Sequence, residues 1–286
     1  MQLRYATPAL VLGLLAFPVL SSQDSTTDRY RFEIETTSVA DLSEIGQGEM
    51  ENKVDLAGEL SVTFAEDGGI TLVLDTLTGT SEGQGQPPLT PKILADLIGT
   101  TWTAVLDDKG RLSSIQTIAS SHWASQLEGR LLRGLFPYIP PGVSVGDTWS
   151  DTLEFARSNY RMNYDTEVDS VTGAVDSVLV DSVFTDSHET TSHIEYTAAA
   201  DTTYHGVNAL LVETKFSRSA TIYRESQGGQ DTEGTSTGTG LLYIGSDGKY
   251  LGGVHQVESE LEVSGPQIPA VIPVTANTTL TVELLP

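Results

Sequence analysis

Alternation of apolar and polar residues is the dominant pattern along this chain. Tyr30, Phe32 and Ile34 interleave with charged residues, and Leu60 to Phe64 repeats the pattern. A period of two places successive side chains on opposite faces of a β-strand, one dry and one wet. The same pattern covers much of the second half, at residues 160–168, 175–184, 193–198, 207–216, 220–224, 241–244, 253–263 and 275–284. The chain is therefore predicted to be mainly β and antiparallel.

Two pairs of glycine-containing turns recur at nearly one spacing. Gly110 and Gly248 lie in similar turns 138 positions apart, and Gly69 and Gly206 precede similar apolar runs 137 positions apart. Repetition at a fixed spacing is typical of duplicated structural units. We therefore predict two related β-modules, residues 29–145 and 146–286. They would form one curved antiparallel sheet or half-barrel, or two half-sheets packed together.

Two helices are predicted, both in the first module. Thr90 followed by Pro91 is an N-cap and first-turn pair that begins a short helix, which ends at Gly99. A second helix is predicted to begin near Ser120, because four apolar residues fall on one helical stripe: Trp123, Leu127, Leu131 and Leu135. These two helices would cover the concave face of the sheet.

The second module has no counterpart of these helices. Its equivalent interval, Gln227 to Gly238, contains almost no apolar residue and is rich in glycine and threonine. Such composition predicts a mobile loop or a long hairpin tip rather than a packed element.

The N-terminus has the features of an export signal. Arg4 precedes the apolar run Ala9 to Phe17, which is too short to span a bilayer. We predict a signal peptide at residues 1–22 and a polar linker at residues 23–28, with a mature chain that has no transmembrane segment. The sequence contains no cysteine, which excludes disulfides and a lipid-anchor cysteine. The predicted location is periplasmic or secreted.

Charge and composition narrow the classes of partner and chemistry. A net charge of −24 disfavours nucleic acid and anionic membrane surfaces as partners. His188 and His193 are five positions apart, so on a strand they would point to opposite faces rather than share a zinc ion. The aspartates between Asp165 and Asp186 fit a solvated sheet edge better than a calcium loop, although calcium binding stays open. No catalytic motif is present, and we predict no enzyme activity, metal or cofactor.

One junction resembles a known group of proteins. Leu135-Phe136-Pro137, followed by Val145-Gly146-Asp147-Thr148-Trp149, is similar to a junction in exported, β-rich bacterial envelope proteins without an assigned function. Their expected fold relatives are the LolA-like lipoprotein carriers, in which an antiparallel sheet wraps around a helical plug. This resemblance implies a half-barrel that binds acyl chains.

These observations predict an exported, non-enzymatic binding protein. It would hold a lipid or another hydrophobic or amphipathic small molecule between sheet and helices. The candidate ligand-binding residues are Trp102, Trp123, Leu127, Leu131, Phe136 and Trp149. The alternative is a structural or interaction protein of the cell envelope, with a packed core, a protein partner and no small ligand. A hydrolase with convergent acids is a third, less favoured reading.

Overall fold

One large antiparallel sheet makes up most of the molecule. The computed structural model describes residues 26–65, 68–83, 88–117, 123–124, 127–128, 131–168, 175–225 and 228–286, without the side chains of residues 133 and 157–185. Within these residues, eleven strands form a single sheet. The predicted signal peptide lies outside the described residues, as does the first part of the predicted linker.

The strands are long, and several predicted runs merge into one strand. Their bounds are β1 Thr26–Asp41, β2 Glu49–Phe64, β3 Gly69–Gly83, β4 Thr101–Leu106, β5 Leu112–Thr117, β6 Thr148–Val168, β7 Val175–Tyr204, β8 Val207–Arg224, β9 Gln230–Gly245, β10 Tyr250–Ser264 and β11 Ile272–Leu284. Short 3₁₀ turns occur at Ser43–Ile45 and Leu132–Gly134. The mainly β, antiparallel prediction is confirmed.

The chain builds this sheet as two meanders that meet in the middle. The strand order is β5-β4-β3-β2-β1-β11-β10-β9-β8-β7-β6, so the first and last strands pair at the centre and β5 and β6 form the two edges. Both predicted modules therefore contribute to one continuous open sheet rather than to two packed half-sheets. The turns at Gly68, Gly110, Gly206 and Gly248 lie at one end of the sheet, which we call the closed end. The connections at residues 42–48 and 265–271 lie at the opposite end, the open end.

The hydrophobic core occupies one face of the sheet near the closed end. Phe32 and Ile34 of β1, Leu72 of β3, Trp102 of β4 and Leu242 of β9 are all at most 1 % exposed and belong to one cluster. We call this the inner face, and the opposite, charged face the outer face. The period-two pattern therefore predicted correctly which side chains of these strands point inward.

The segment between β5 and β6 contributes to the same core. It joins the two edges of the sheet, and its residues Leu127, Leu131, Leu132 and Leu135 are at most 1 % exposed. Because these side chains pack among those of the inner face, the segment crosses that face. It thereby plugs the closed end.

The helix predictions were correct for the first helix only. α1 spans Pro91–Leu97, Thr90 caps it by accepting a hydrogen bond from the amide of Ile93 at 3.2 Å, and Gly99 follows with a φ of +84°. In the described part of the chain this is a single short helix, not one of two. Residues 123–124 and 127–128 have helical backbone, but they lead into the 3₁₀ turn at Leu132–Gly134, and the rest of the predicted second helix lies outside the described residues.

The prediction of a loop at Gln227–Gly238 was wrong. From Gln230 onward this segment is strand β9, paired along its whole length with β8 and β10. Its inner-face glycines make room for their neighbours: a Cβ on Gly238 would clash with the Gln256 carbonyl and the ring of Phe216, and a Cβ on Gly234 would clash with the Glu260 carbonyl and lie 2.7 Å from Leu261. The residues lack apolar side chains because the flanking strands supply them.

Gly238→Ala is expected to lower the free energy of unfolding by about 2 kcal/mol, since overpacking a close contact typically costs that much. Urea denaturation followed by circular dichroism measures the change. Gly248→Ala in an open turn is the control, with an expected loss of about 1 kcal/mol from its positive φ alone. A neutral Gly238→Ala variant would show that this segment is not held in the sheet.

The two turns that first indicated a repeat are built alike. The amide of Asp107 donates to the carbonyl of Arg111, and the amide of Gly245 donates to the carbonyl of Lys249, 138 positions later. Gly110 and Gly248 both have positive φ, at +74° and +83°. The related turn geometry agrees with two similar modules, while the duplication itself stays a prediction.

Among the described residues, no helix has the length and apolar character needed to cross a membrane.

Candidate functional site

The inner face continues well past the core toward the open end. On β8 to β11 the inner-face side chains change from buried to half-buried, while the outer-face side chains are mostly exposed over the same length. Side chains on a flat, uncovered face would be equally exposed on both sides, so the difference indicates that the inner face is concave. We call this surface the trough. Its apolar members are Phe216, Ala220, Ile222, Val257, Leu261, Val263, Ile272, Val274 and Ala276.

The strand register arranges the trough in rows that run across the sheet. Phe216, Gly238, Val257 and Thr278 lie opposite one another in one row. Two residues further along the same strands, the Ser236 and Ser259 hydroxyls are 2.8 Å apart. This second row also contains Arg218 of β8, so the trough has an amphipathic lining in which apolar side chains lie beside hydroxyls and a cation.

Charge is distributed unequally between the two faces. On β10, Val257, Ser259 and Leu261 point inward, whereas Glu258, Glu260 and Glu262 alternate with them and point outward. A row of carboxylates on the outer face keeps that face wet and discourages sheet stacking. The inner face of β9, β10 and β11 carries no such row within the described residues.

Two edges of the sheet approach each other at the closed end. Asp151 at the start of β6 has a side chain that is 1 % exposed, and its two oxygens accept hydrogen bonds from Lys109 at 2.8 Å and Arg111 at 2.7 Å. Lys109 and Arg111 belong to the turn between β4 and β5, so the ion pairs connect opposite sides of the sheet. We call this group, together with Asp107, the clasp. It shows that the sheet curls around its inner face.

The clasp sets the charge state of its acids. Burial alone would raise the pKa of Asp151, but the hydrogen bonds from Lys109 and Arg111 outweigh burial and hold that pKa below its usual value. Asp107 behaves in the same way through its bonds with Arg111 and Lys109. Asp107 and Asp151 are therefore ionised at neutral pH, and their ion pairs with Arg111 and Lys109 balance the acids.

A small cavity lies between the clasp and the trough. Its volume is about 90 Å³, and its lining includes Phe136 from the crossing segment, Leu153 of β6, Phe216 of β8 and His255 of β10. Pockets for whole small-molecule ligands are typically several times larger. A wider depression of about 460 Å³ spreads over β6, β7 and β8 around Phe155 and Thr190. This wider depression combines residues from both faces of the sheet and is open to solvent, so it is not an enclosed site.

His255 is the unusual residue of this cavity. Its Nε2 is buried and forms no hydrogen bond with the described residues, although buried polar atoms nearly always have a partner. Burial lowers the pKa of His255 to about 4. The imidazole is therefore neutral at physiological pH, with one polar atom buried beside the cavity.

The free energy of unfolding is expected to fall by about 2 kcal/mol as the pH is lowered from 7 to 5, because of His255. In this window the unfolded chain binds a proton at its ordinary histidine pKa, whereas the folded chain, with a pKa of about 4, does not. The clasp acids lose their contribution only at lower pH, since their folded pKa values lie below the usual range. Urea titrations of wild type and His255→Leu at several pH values measure the effect, and an equally steep decline in both proteins would contradict it.

The structure separates the candidate residues that the sequence proposed. Trp102, Trp123, Leu127 and Leu131 are buried in the plugged core, and only Phe136 lines the small cavity. Trp149 is half-buried, stacks on Tyr196 with ring centroids 5.2 Å apart, and donates a hydrogen bond to the carbonyl of Tyr138 at 2.8 Å. Ligand contact by these residues stays a prediction.

Sequence reasoning missed three residues that define the site. Phe216 and His255 fall in strands that were recognised, but nothing local indicated that they face a cavity rather than solvent. Asp151 follows the Trp149 junction, and its partners Lys109 and Arg111 are about forty positions away. The alternation of Gly234, Gly238 and Gly240 with threonines was the available signal that this part of the chain is a strand.

Comparisons with known proteins give a general fold likeness only. No family model and no curated protein matches the chain. A structure of lipovitellin, described by its lipid–protein interactions, is similar over 91 % of this chain and 25 % of its own, with 10 % identity and a TM-score of 0.47. The chain thus spans about a quarter of the length of that protein.

The structures of two Pseudomonas aeruginosa proteins, OccK5 and OpdQ, are similar in the same general sense. OccK5 covers 91 % of this chain at 7 % identity with a TM-score of 0.29, and 98 % of its own chain is matched. OpdQ covers 91 % at 9 % identity with a TM-score of 0.28, and 99 % of its own chain is matched. Likenesses at this level carry no functional argument. The large antiparallel sheet expected from the envelope resemblance is present, while membership of that family stays a prediction.

Proposed function

We propose that this chain is an exported, non-enzymatic binding protein that holds an elongated amphipathic or lipid-like molecule in the trough. The observation that carries the proposal is the inner face of β8 to β11, which stays half-buried beyond the end of the core and carries nine apolar side chains among hydroxyls, glycines and arginine. An apolar concave surface of this kind, with a few polar groups, is the usual character of a ligand site.

The shape of the inner face favours an elongated ligand over a compact one. From His255 to Val263 the strand advances roughly 26 Å at about 3.3 Å per residue. Half the thickness of a bilayer hydrocarbon core is about 15 Å, so one acyl chain fits within this length. The small cavity, at about 90 Å³, is too small to hold such a chain by itself. The chain would therefore lie along the open trough.

Val257→Asp is expected to weaken binding of a neutral apolar probe by about tenfold or more, because it places a charge among apolar contacts. The probe is N-phenyl-1-naphthylamine, whose fluorescence rises in an apolar environment, and the measurement is a direct titration. Val254→Asp is the matched control, since Val254 lies on the same strand, is 36 % exposed and points to the outer face.

The control should bind the probe as the wild type does, and circular dichroism should show both variants folded. Equal probe affinity in Val257→Asp and wild type would contradict a site in the trough. A wild type that binds neither the probe nor long-chain alcohols would favour the alternative, an envelope interaction protein with a packed core.

A further inference from the structure

We propose that Arg218 is the counter-charge for the anionic head, a carboxylate or a phosphate, of the amphipathic molecule whose tail lies in the trough. This inference rests on the proposed function and specifies the ligand class. It is carried by the position of Arg218 on the inner face, by the hydroxyls beside it, and by the distribution of carboxylates around it.

Arg218 belongs to the inner face of β8. It lies two residues from Phe216 and two residues from Ala220, which are both trough residues, and its side chain is half-buried. The guanidinium carbon lies 5.9 Å from the centre of the Phe216 ring, a distance typical of a cation–π contact. The Nε of Arg218 donates a hydrogen bond to the Ser192 hydroxyl of β7 at 3.0 Å. These two contacts hold the cation in a defined orientation in the trough.

Carboxylates are kept away from this cation on strands β8 to β11. The chain has a net charge of −24, and acids such as Glu258 and Glu260 alternate with trough residues and point outward. Arg218 is the charged side chain among the described inner-face positions of segments 214–222, 232–240, 255–263 and 272–280, apart from the neutral His255. An anion in this part of the trough therefore meets a cation and no carboxylate from these strands.

Two serine hydroxyls extend the site along the same row. Arg218 pairs with Ser236 of β9, and Ser236 pairs with Ser259 of β10. Both serines are half-buried, and their hydroxyls are 2.8 Å apart. Whichever hydroxyl donates to the other, the second has a hydrogen that can be donated to a ligand oxygen. Neighbouring strands are about 4.8 Å apart, so a carboxylate or phosphate beside Arg218 lies close to this pair.

An anionic head gains more from this arrangement than a neutral head does. The guanidinium presents its N–H groups in a planar fork that matches two oxygens of a carboxylate or a phosphate. Such charge-assisted hydrogen bonds are about twice as strong as bonds between neutral groups. A hydroxyl head would form only an ordinary hydrogen bond with Arg218, and an ammonium head would meet a like charge.

The tail of the ligand has apolar contacts on both sides of this row. Phe216 and Val257 lie in the next row toward the closed end. Leu261 and Val274 pair in the next row toward the open end. A molecule whose head lies at Arg218 can therefore place its tail on the trough surface described above.

The test compares ligands that share a ten-carbon tail and differ in the head. Decanoate, decyl phosphate and 1-decanol each displace N-phenyl-1-naphthylamine at pH 8 from wild type and from three variants, Arg218→Gln, Arg218→Lys and Lys215→Gln. Lys215 is the matched control, because it lies on the same strand, points to the outer face and loses the same charge.

Wild type should bind at least one of the two anions about fivefold to tenfold more tightly than 1-decanol, as expected for one charge-assisted contact. Arg218→Gln should bind that anion about tenfold more weakly than wild type does and 1-decanol within about twofold. Arg218→Lys should retain part of the preference, and Lys215→Gln should retain all of it. Whether decanoate or decyl phosphate binds more tightly distinguishes a carboxylate head from a phosphate head.

The outcomes separate this inference from the proposed function. If all four proteins bind the probe and Arg218→Gln keeps the anion preference, or loses no more of it than Lys215→Gln does, the head-group site is wrong and the trough stands. An equal loss of affinity for all three ligands in Arg218→Gln would likewise contradict it, since that result indicates a purely structural role. If wild type binds neither the probe nor any of the ligands, the proposed function fails and this inference with it.

Nitrogen-15 spectra give an independent readout. The Nε–H resonance of Arg218, assigned from its loss in Arg218→Lys, should shift when the preferred anion is added and much less with 1-decanol. An unchanged resonance at saturating anion would contradict contact between the head and Arg218.

Discussion

Replacing Trp102 by alanine is expected to lower the free energy of unfolding by about 4 kcal/mol, the usual cost of removing a buried tryptophan. Trp102 is 1 % exposed and packs in the core between the sheet and the crossing segment. The neighbouring side chains are themselves fully buried, so they cannot move to fill the space that the tryptophan leaves. Chemical denaturation with fluorescence or circular dichroism detection measures the loss.

The Trp102 variant also distinguishes a core role from a ligand role. If Trp102 serves only in the core, the folded fraction of Trp102→Ala should bind the naphthylamine probe with nearly wild-type affinity. Val105→Ala is the control on the same strand, because Val105 is 44 % exposed and its loss should change stability little. A stable Trp102→Ala protein with strongly reduced probe binding would show instead that Trp102 belongs to the binding site.

Asp151→Ala is expected to cost about 3 kcal/mol of stability, because it removes the buried partner of two cations. Its carboxylate is 1 % exposed, whereas Lys109 is 39 % exposed and Arg111 20 % exposed. The two cations can therefore turn partly toward water in the variant, which keeps the loss at the lower end for buried ion pairs. Urea denaturation at neutral pH measures it.

Surface ion pairs provide the comparison for the clasp. Glu59→Gln removes a pair with Arg29, whose side chain is 55 % exposed, and should cost less than about 1 kcal/mol. A double-mutant cycle between Asp151→Ala and Lys109→Met isolates the part of the effect that belongs to their contact. Equal losses in Asp151→Ala and Glu59→Gln would show that the clasp does not hold the two sides of the sheet together.

The sequence predicted the sheet well because the signal is local. Alternation in segments such as Tyr30 to Ile34 reports directly which face is buried, and the structure confirms it. Capping at Thr90 and the stop at Gly99 are equally local, and the first helix was correct. Each of these features depends on neighbours within a few residues.

The failures came from contacts that are distant in the sequence. Segment 230–238 was taken for a loop because its own residues are small and polar, whereas its glycines accommodate Phe216 of β8 and Leu261 of β10. The pairing of β1 with β11 and the contact of Asp151 with Lys109 likewise depend on the final curvature of the sheet. The candidate site required the same information, since the cavity exists only where several remote segments meet.

The most direct test of the trough is native mass spectrometry of wild type, Val257→Asp and Val254→Asp after equal exposure to 1-decanol. The account predicts a one-to-one complex with wild type and with Val254→Asp, and little or none with Val257→Asp. Equal complex formation by all three proteins, or none with wild type, would contradict it.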